Sequence, residues 1–115
     1  MCEPTYKSGL AATLDVIGGK WKLLILIQLF LGPSRFGVLR RAINGISEKM
    51  LIQQLREMEA DGVVSRHDFQ EVPPRVEYAL TEFGVSLVEA LKPLCAWGST
   101  HMDRIAATKE AASQV

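Results

Sequence analysis

The stretch from Ile46 to Leu80 constrains the fold of this 115-residue chain most, because a helical pattern changes there directly into an extended one. Ser47 is a residue type that caps helix N-termini, and Gly62 is one that ends helices. Between them, apolar side chains recur at helical spacing and define the buried stripe of an amphipathic helix. They are Leu51, Leu55 and Met58.

The opposite face of this predicted helix is polar. A turn of about 100° per residue places Lys49, Gln53 and Arg56 on that face, away from the apolar stripe. An ammonium, an amide and a guanidinium can reach base edges and phosphates in a DNA major groove, although any solvated helix surface could also carry them. The pattern therefore favours a nucleic-acid contact but leaves a solvated face open.

The residues after this helix predict a β-hairpin. The pattern becomes extended over 63–69 and alternates between apolar and polar residues over 76–80. Pro73 and Pro74 cannot donate ladder hydrogen bonds, so we expect them at the tip of the hairpin. Arg75 should project from that tip.

Three helices are predicted before Ser47. The first covers about 10–17, and the second covers about 20–31 and is expected to be buried because it is apolar nearly all round. Ser34 is the expected N-cap of the third, so that the third and fourth helices form a helix-turn-helix over about 35–61. The large residues expected at the centre of the core are Trp21, Leu24, Ile25, Leu29 and Phe30.

One long helix is predicted for the C-terminal part, from about 82 to 107, with Pro93 as an expected kink. It carries more apolar residues than one small domain can bury, and their spacing resembles a packing seam. We therefore predict a homodimer, formed by this helix and the segment at about 8–17. Residues 106–115 are expected to fray. The seam residues are Leu87, Leu91, Leu94 and Trp97.

The fold class that these elements predict is mainly α with a small β-hairpin wing. A chain of this length is expected to form a single winged helix-turn-helix domain over 1–115, with the wing at about 63–80 and a long C-terminal dimerisation helix. We find no paired carboxylates, no Ser-His-Asp set and no glycine-rich phosphate loop. The sequence therefore predicts a protein that is not an enzyme and needs no cofactor.

The net charge of zero hides a division along the chain. From Lys7 to Arg56 there are eight Lys or Arg and two acids, which gives +6, whereas from Glu57 onward five cations and ten acids give −5. Glu3 supplies the remaining negative charge. A basic half that contains the candidate contact helix suits a surface that meets nucleic acid, with an acidic remainder kept away from it.

The longest apolar stretch, from Leu23 to Leu31, is too short to span a bilayer, and the N-terminus has no signal-peptide pattern. A cytoplasmic location is expected. Cys2 and Cys95 are the thiols of the chain; we expect Cys95 to be a buried apolar residue, whereas Cys2 could be reactive. A metal site that combined both with His101 and Asp103 would need the N-terminus to fold back, so no metal is predicted.

Several separated motifs now resemble one family, the HxlR transcriptional regulators, which are related to MarR-type winged helix-turn-helix proteins. The resemblance covers about residues 8–98. It implies a homodimer that binds a pseudo-palindromic DNA operator, with one recognition helix per subunit in the major groove and the wing along the adjacent backbone or minor groove. The motifs are DVIGGKW at 15–21, GIS at 45–47, DGVV at 61–64, VPPRVEY at 72–78 and WG at 97–98.

With this resemblance, the preferred function is a sequence-specific DNA-binding regulator, most simply a repressor of stress or catabolic genes. A small-molecule effector would enter near the dimer helices. A winged-helix module for protein interaction remains the alternative, and a thiol enzyme built on Cys2 has little support. The residues expected to face the groove are Ser47, Lys49, Met50 and Gln53, and those expected to reach the backbone or minor groove are Arg35, Arg40, Arg56 and Arg75.

One position departs from the family pattern. Many redox- or electrophile-sensing members have a Cys-Pro pair about thirteen residues before the tryptophan of DVIGGKW, and this chain has Ser8-Gly9 there. A serine hydroxyl has no accessible anionic form at neutral pH and cannot replace a thiolate as a sensor. We therefore expect redox insensitivity, with Ser8 at the substituted sensor position and Cys2 as a weaker candidate.

Overall fold

The computed structural model describes residues 8–113. These form six helices and a small antiparallel sheet, which confirms the predicted fold class. The helices are α1 (Gly9–Ile17), α2 (Lys20–Phe30), α3 (Phe36–Ala42), α4 (Glu48–Ala60), α5 (Glu82–Thr100) and α6 (Met102–Ser113). The strands are β1 (Ser34–Arg35), β2 (Val64–Asp68) and β3 (Val76–Leu80).

The sheet has three strands in the order β1-β3-β2, so the hairpin is extended by a strand from before α3. Ser34 lies opposite Tyr78, and Val64 lies opposite Leu80. The prediction that Ser34 caps α3 is wrong: Ser34 pairs in the sheet, and Arg35 occupies the cap position without a side-chain hydrogen bond. The backbone of Ser34 is held by strand pairing, so its side chain is not placed at the helix start.

The core lies where α2, α4 and the sheet meet. Leu51, Leu55 and Met58 of α4 are buried, as their spacing predicts. The second helix is less buried than expected, because Leu24 and Phe30 are exposed while Ile25 and Leu29 are buried. Trp21 is partly buried and packs against the core. A continuous apolar run does not reveal which side of the helix faces inward.

A tight junction places the hairpin against α5. Gly62 ends α4 with a φ of +80°, a conformation that glycine adopts at little cost. The Thr81 hydroxyl donates to the Gly62 carbonyl oxygen at 2.6 Å and accepts from the Gly84 amide at 3.0 Å. A Cβ on Gly84 would collide with the carbonyl oxygen of Val63, so only glycine allows this approach.

The C-terminal part differs from the single long helix expected. Helix α5 continues through Pro93 and ends at Thr100, and a second helix, α6, follows His101. The prediction that residues 106–115 fray is wrong as far as Ser113, because α6 continues to that residue. Its alanines have the highest helix propensity of any residue type. Across residues 8–113, no helix has the length and apolar character that crossing a membrane requires.

Candidate nucleic-acid interface

The exposed face of α4 is the centre of the candidate interface. Ser47 caps the helix, its hydroxyl accepting from the Met50 amide at 3.1 Å, which satisfies one of the amides that the first turn leaves without an intrahelical partner. Lys49, Gln53 and Arg56 are all exposed on one side of the helix, as predicted. The three therefore offer hydrogen-bond donors, and in Gln53 also an acceptor, along one continuous line.

Met50 is less accessible than the other predicted groove residues. Its side chain is partly buried and packs against the core, while the Gln54 amide donates to its sulfur at 3.3 Å. The exposed surface also includes Ile52, which sequence reasoning missed although the 100° turn per residue places it beside Lys49 and Arg56. A shallow hollow runs along this side of the helix. It is lined by Ser47, Glu48, Lys49, Ile52, Gln53, Arg56 and Glu57.

Glu57, an acidic residue at the border of this hollow, forms an ion pair with a lysine of α2. Glu57 of α4 lies 3.8 Å from the ammonium of Lys22 in α2, and Lys22 is only 8% exposed. Sequence reasoning missed this pair because Lys22 lies within an otherwise apolar helix. The contact offsets the negative charge that Glu57 would otherwise bring to a basic surface.

Helix α3 adds cations beside the N-terminus of α4. Arg40 and Arg41 lie in the last turn of α3, where positive charge is favourable, and both are exposed. The Arg40 guanidinium lies 3.9 Å from the Glu48 carboxylate in the first turn of α4. Arg35 is exposed in β1, opposite Glu77 of β3. The structure thus brings Arg40 to the start of α4, whereas Arg35 belongs to the sheet.

Arg75 does not project from the wing tip as expected. Its guanidinium carbon lies 3.5 Å from the centre of the Phe69 ring, and its side chain is partly buried. The Arg75 Nε atom is 3.5 Å from a Glu71 oxygen but makes no hydrogen bond, and the atom is buried. The sequence prediction failed because this contact joins the two sides of the hairpin, which spacing along one strand does not show.

The positions linked to sensing are only partly described. Ser8 caps α1 by accepting from the Ala11 amide at 3.1 Å, and Cys2 lies outside the described residues. The prediction that Cys95 is buried is wrong, since it is exposed on α5. No metal-binding cluster of His, Cys, Asp or Glu occurs within residues 8–113.

A second hollow follows the junction of α5 and α6. The Trp97 and His101 rings stack there at 4.7 Å, and the His101 Nδ1 atom is 2.8 Å from the Trp97 carbonyl oxygen. Aromatic and cationic side chains share this surface. The lining residues are Trp97, His101, Arg104, Ile105, Thr108 and Lys109.

Comparison with known proteins identifies the family to which this chain belongs. The family model described as HxlR-like helix-turn-helix matches residues 16–106. This chain belongs to the HxlR-like helix-turn-helix family. The uncharacterized HTH-type transcriptional regulator YtcD of Bacillus subtilis strain 168 is 52% identical over 105 residues, which are 91% of this chain and 83% of YtcD.

Solved structures of two regulatory proteins have the same fold. The redox regulator HypR in its reduced form superposes with a TM-score of 0.82 at 44% identity, covering 87% of this chain and 99% of HypR. The reduced transcriptional regulator YodB of B. subtilis gives a TM-score of 0.73 at 33% identity, covering 82% and 92%. This HxlR-like chain is therefore a DNA-binding transcriptional regulator and not an enzyme.

Proposed function

We propose that this HxlR-like regulator is a repressor that binds a pseudo-palindromic operator as a homodimer. The observation that supports this most is the exposed face of α4, where Lys49, Gln53 and Arg56 lie in line on a helix fixed by its buried opposite stripe. A rigid helix with such a face fits the major groove, where an amide can pair with adenine and cations can meet phosphate. Occupying an operator is by itself sufficient to block access to it.

The individual residues receive different proposed roles. Gln53 and Lys49, near the N-terminal half of α4, would contact base edges, and Ser47 would join them while it caps the helix. Met50, being partly buried, would contribute an apolar contact at most. Arg56 and Arg40 would contact phosphate on either side of the groove, and cations on the sheet and wing would extend the contact. Those cations are Arg35 and Arg75.

The proposed dimer rests on apolar side chains that the single chain leaves exposed. Leu94 and Trp97 of α5 are 61% and 57% exposed, and Met102 of α6 is 64% exposed. Leu10 and Leu14 of α1, one helical turn apart, are exposed as well. Exposed apolar residues of this number mark an interface more often than a free surface. A two-fold dimer would present two copies of α4 to two half-sites.

The proposed targets and signal follow from the relatives. HypR is a redox regulator, and we propose genes of stress or catabolism as targets of this chain. We also propose a small-molecule effector, held in the hollow near the α5–α6 junction. Such a protein would act where the chromosome lies, in the cytoplasm. The Ser8 side chain cannot form a thiolate, and we propose that the chain does not sense oxidants as a thiol-based regulator would.

A protein-interaction module is the second candidate, and the exposed Ile52 at the edge of the α4 face favours it. Selection of bound duplexes from a random pool separates the two functions. A DNA-binding repressor should enrich one two-fold symmetric sequence, and its affinity should fall steeply with salt. A protein-interaction module should enrich no sequence.

A further inference from the structure

The wing carries a compact cluster that its role as a hairpin does not require. The rings of His67 and Phe69 meet edge to face, 4.3 Å apart at 86°, and the Arg75 guanidinium covers the Phe69 ring at 3.5 Å. The Phe69 amide also donates to the Arg75 carbonyl oxygen at 2.9 Å. Phe69 and Arg75 therefore hold each other through both backbone and side chains, just beyond the last paired residues of β2 and β3.

The Phe69 ring and the Glu71 carboxylate, and not a hydrogen bond at Nε, hold the guanidinium in this position. The Nε atom of Arg75 is buried without a hydrogen-bond partner, although a Glu71 carboxylate oxygen lies 3.5 Å away. A guanidinium is flat and weakly hydrated, so it can cover an aromatic ring and still offer donors at its edge. An ammonium on a flexible stem could not be oriented in this way.

We propose that Phe69 is a positioning residue that holds Arg75 ready to contact a DNA phosphate beside the groove that α4 enters. This role rests on the proposed DNA-binding function. An arginine that is already ordered loses less side-chain freedom when it binds, and the affinity gained in this way does not depend on base sequence. Glu71 opposes the contact, because its carboxylate partly neutralises the guanidinium and must be replaced by phosphate.

The test measures dissociation constants for two DNA probes: the duplex selected from a random pool by the unmodified chain, and a duplex of mixed sequence. Phe69→Leu removes the ring but keeps an apolar side chain, and we expect binding to both probes to weaken about threefold to tenfold. Phe69→Tyr keeps the ring and should retain affinity. Arg75→Lys keeps the charge without the plane and should lose about as much as Phe69→Leu. Glu71→Gln should strengthen binding to both probes.

A double-variant cycle separates positioning from a general effect on the fold. In an Arg75→Ala background, Phe69→Leu should weaken binding no further, because the residue that Phe69 positions is already absent. The same loss in both backgrounds, or a loss in Phe69→Tyr equal to that in Phe69→Leu, would overturn the positioning role. The proposed DNA-binding function would survive that result, since it fails only if the unmodified chain shows no salt-dependent binding or binds the two probes equally.

Discussion

Lys22 and Glu57 join α2 to α4 through an ion pair of 3.8 Å in which the ammonium is nearly buried and the carboxylate is half exposed. The pair adds a polar contact between the candidate recognition helix and α2, beside the buried stripe of α4. Because removing one partner of a buried pair leaves an uncompensated charge, the two ends of this contact are not equivalent. The buried ammonium is the end that cannot be solvated by a small movement.

The first prediction concerns stability. Glu57→Gln leaves Lys22 buried without its counter-charge, and we expect the free energy of unfolding to fall by about 1–2 kcal/mol, less than for a fully buried pair because Glu57 is half exposed. Urea denaturation measures the change. The control is Glu89→Gln, which breaks the exposed pair with Lys92 and should change the free energy by less than about 0.5 kcal/mol. Equal losses in the two variants would show that the burial of Lys22 does not make its ion pair more stabilising than an exposed one.

The second prediction concerns base reading by α4. Gln53→Ala should relax sequence preference at a cost of about 1–3 kcal/mol on the selected duplex, with little change on a duplex of mixed sequence. Arg56→Ala should weaken both duplexes alike and reduce the salt dependence by about one phosphate contact. Competition binding with both duplexes measures the difference, with Lys109→Ala in α6 as a control. If both variants lose the same affinity on both duplexes, Gln53 does not read a base.

The third prediction concerns the dimer, and it depends on distinguishing residues that the sequence pattern grouped together. Leu91, a predicted seam residue, is 6% exposed and belongs to the chain's own core, so Leu91→Glu would impair folding itself. Leu94 is 61% exposed and is the better test. Leu94→Glu should raise the dimer dissociation constant by at least about tenfold, since a charge would enter an apolar contact.

Analytical ultracentrifugation over a range of concentrations measures this change. Val72→Glu is the matched control: Val72 is 98% exposed in the wing and belongs to none of the helices α1, α5 and α6. It should leave the association unchanged. A dimer that is equally stable in Leu94→Glu and in the unmodified chain would remove α5 from the interface.

The fourth prediction concerns oxidants. The unmodified chain and a variant with both Cys2 and Cys95 replaced by Ser should bind the operator equally, in reducing buffer and after treatment with hypochlorite or a quinone. The exposure of Cys95 makes this a stricter test than sequence reasoning implied, because oxidants can reach its thiol. Loss of binding on oxidation of the unmodified chain, and not of the doubly substituted one, would contradict the prediction.

The reverse substitution completes the redox experiment. Ser8 caps α1, so a cysteine in its place would lie at a helix N-terminus, where the dipole favours a thiolate. Ser8→Cys should therefore release the operator on oxidation. Ser8→Ala, which loses the cap without gaining a thiol, is the control. A Ser8→Cys variant that remains insensitive would show that Ser8 does not occupy a sensor position.

The sequence predicted those features that depend on neighbouring residues. Helix α4 could be placed because its cap at Ser47, its end at Gly62 and its stripe of buried leucines are all local signals. Contacts between distant segments could not be placed in this way. The sequence around Ser34 favours a helix cap because its strand partner Tyr78 lies more than forty residues away in the chain. The Phe69–Arg75 stack likewise depends on the geometry of the closed hairpin.

The sequence also does not distinguish buried from exposed residues of the same type. Leu91 and Leu94 are alike in sequence, yet one lies in the core and the other is exposed. Spacing identifies a face but does not say what covers it. Lys22 shows the converse, since a cation within an apolar helix gave no sign that a carboxylate from α4 would meet it.

The salt dependence of binding to the selected duplex tests the central claim most directly. If α4 and the wing of each subunit contact phosphate through cations such as Arg56 and Arg75, the logarithm of the association constant should fall linearly with the logarithm of salt concentration, with a slope of about −4 to −8 for a dimer. At each salt concentration the selected duplex should bind more tightly than one of mixed sequence. A flat dependence on salt, or equal affinity for the two duplexes throughout, would contradict a sequence-specific DNA-binding function.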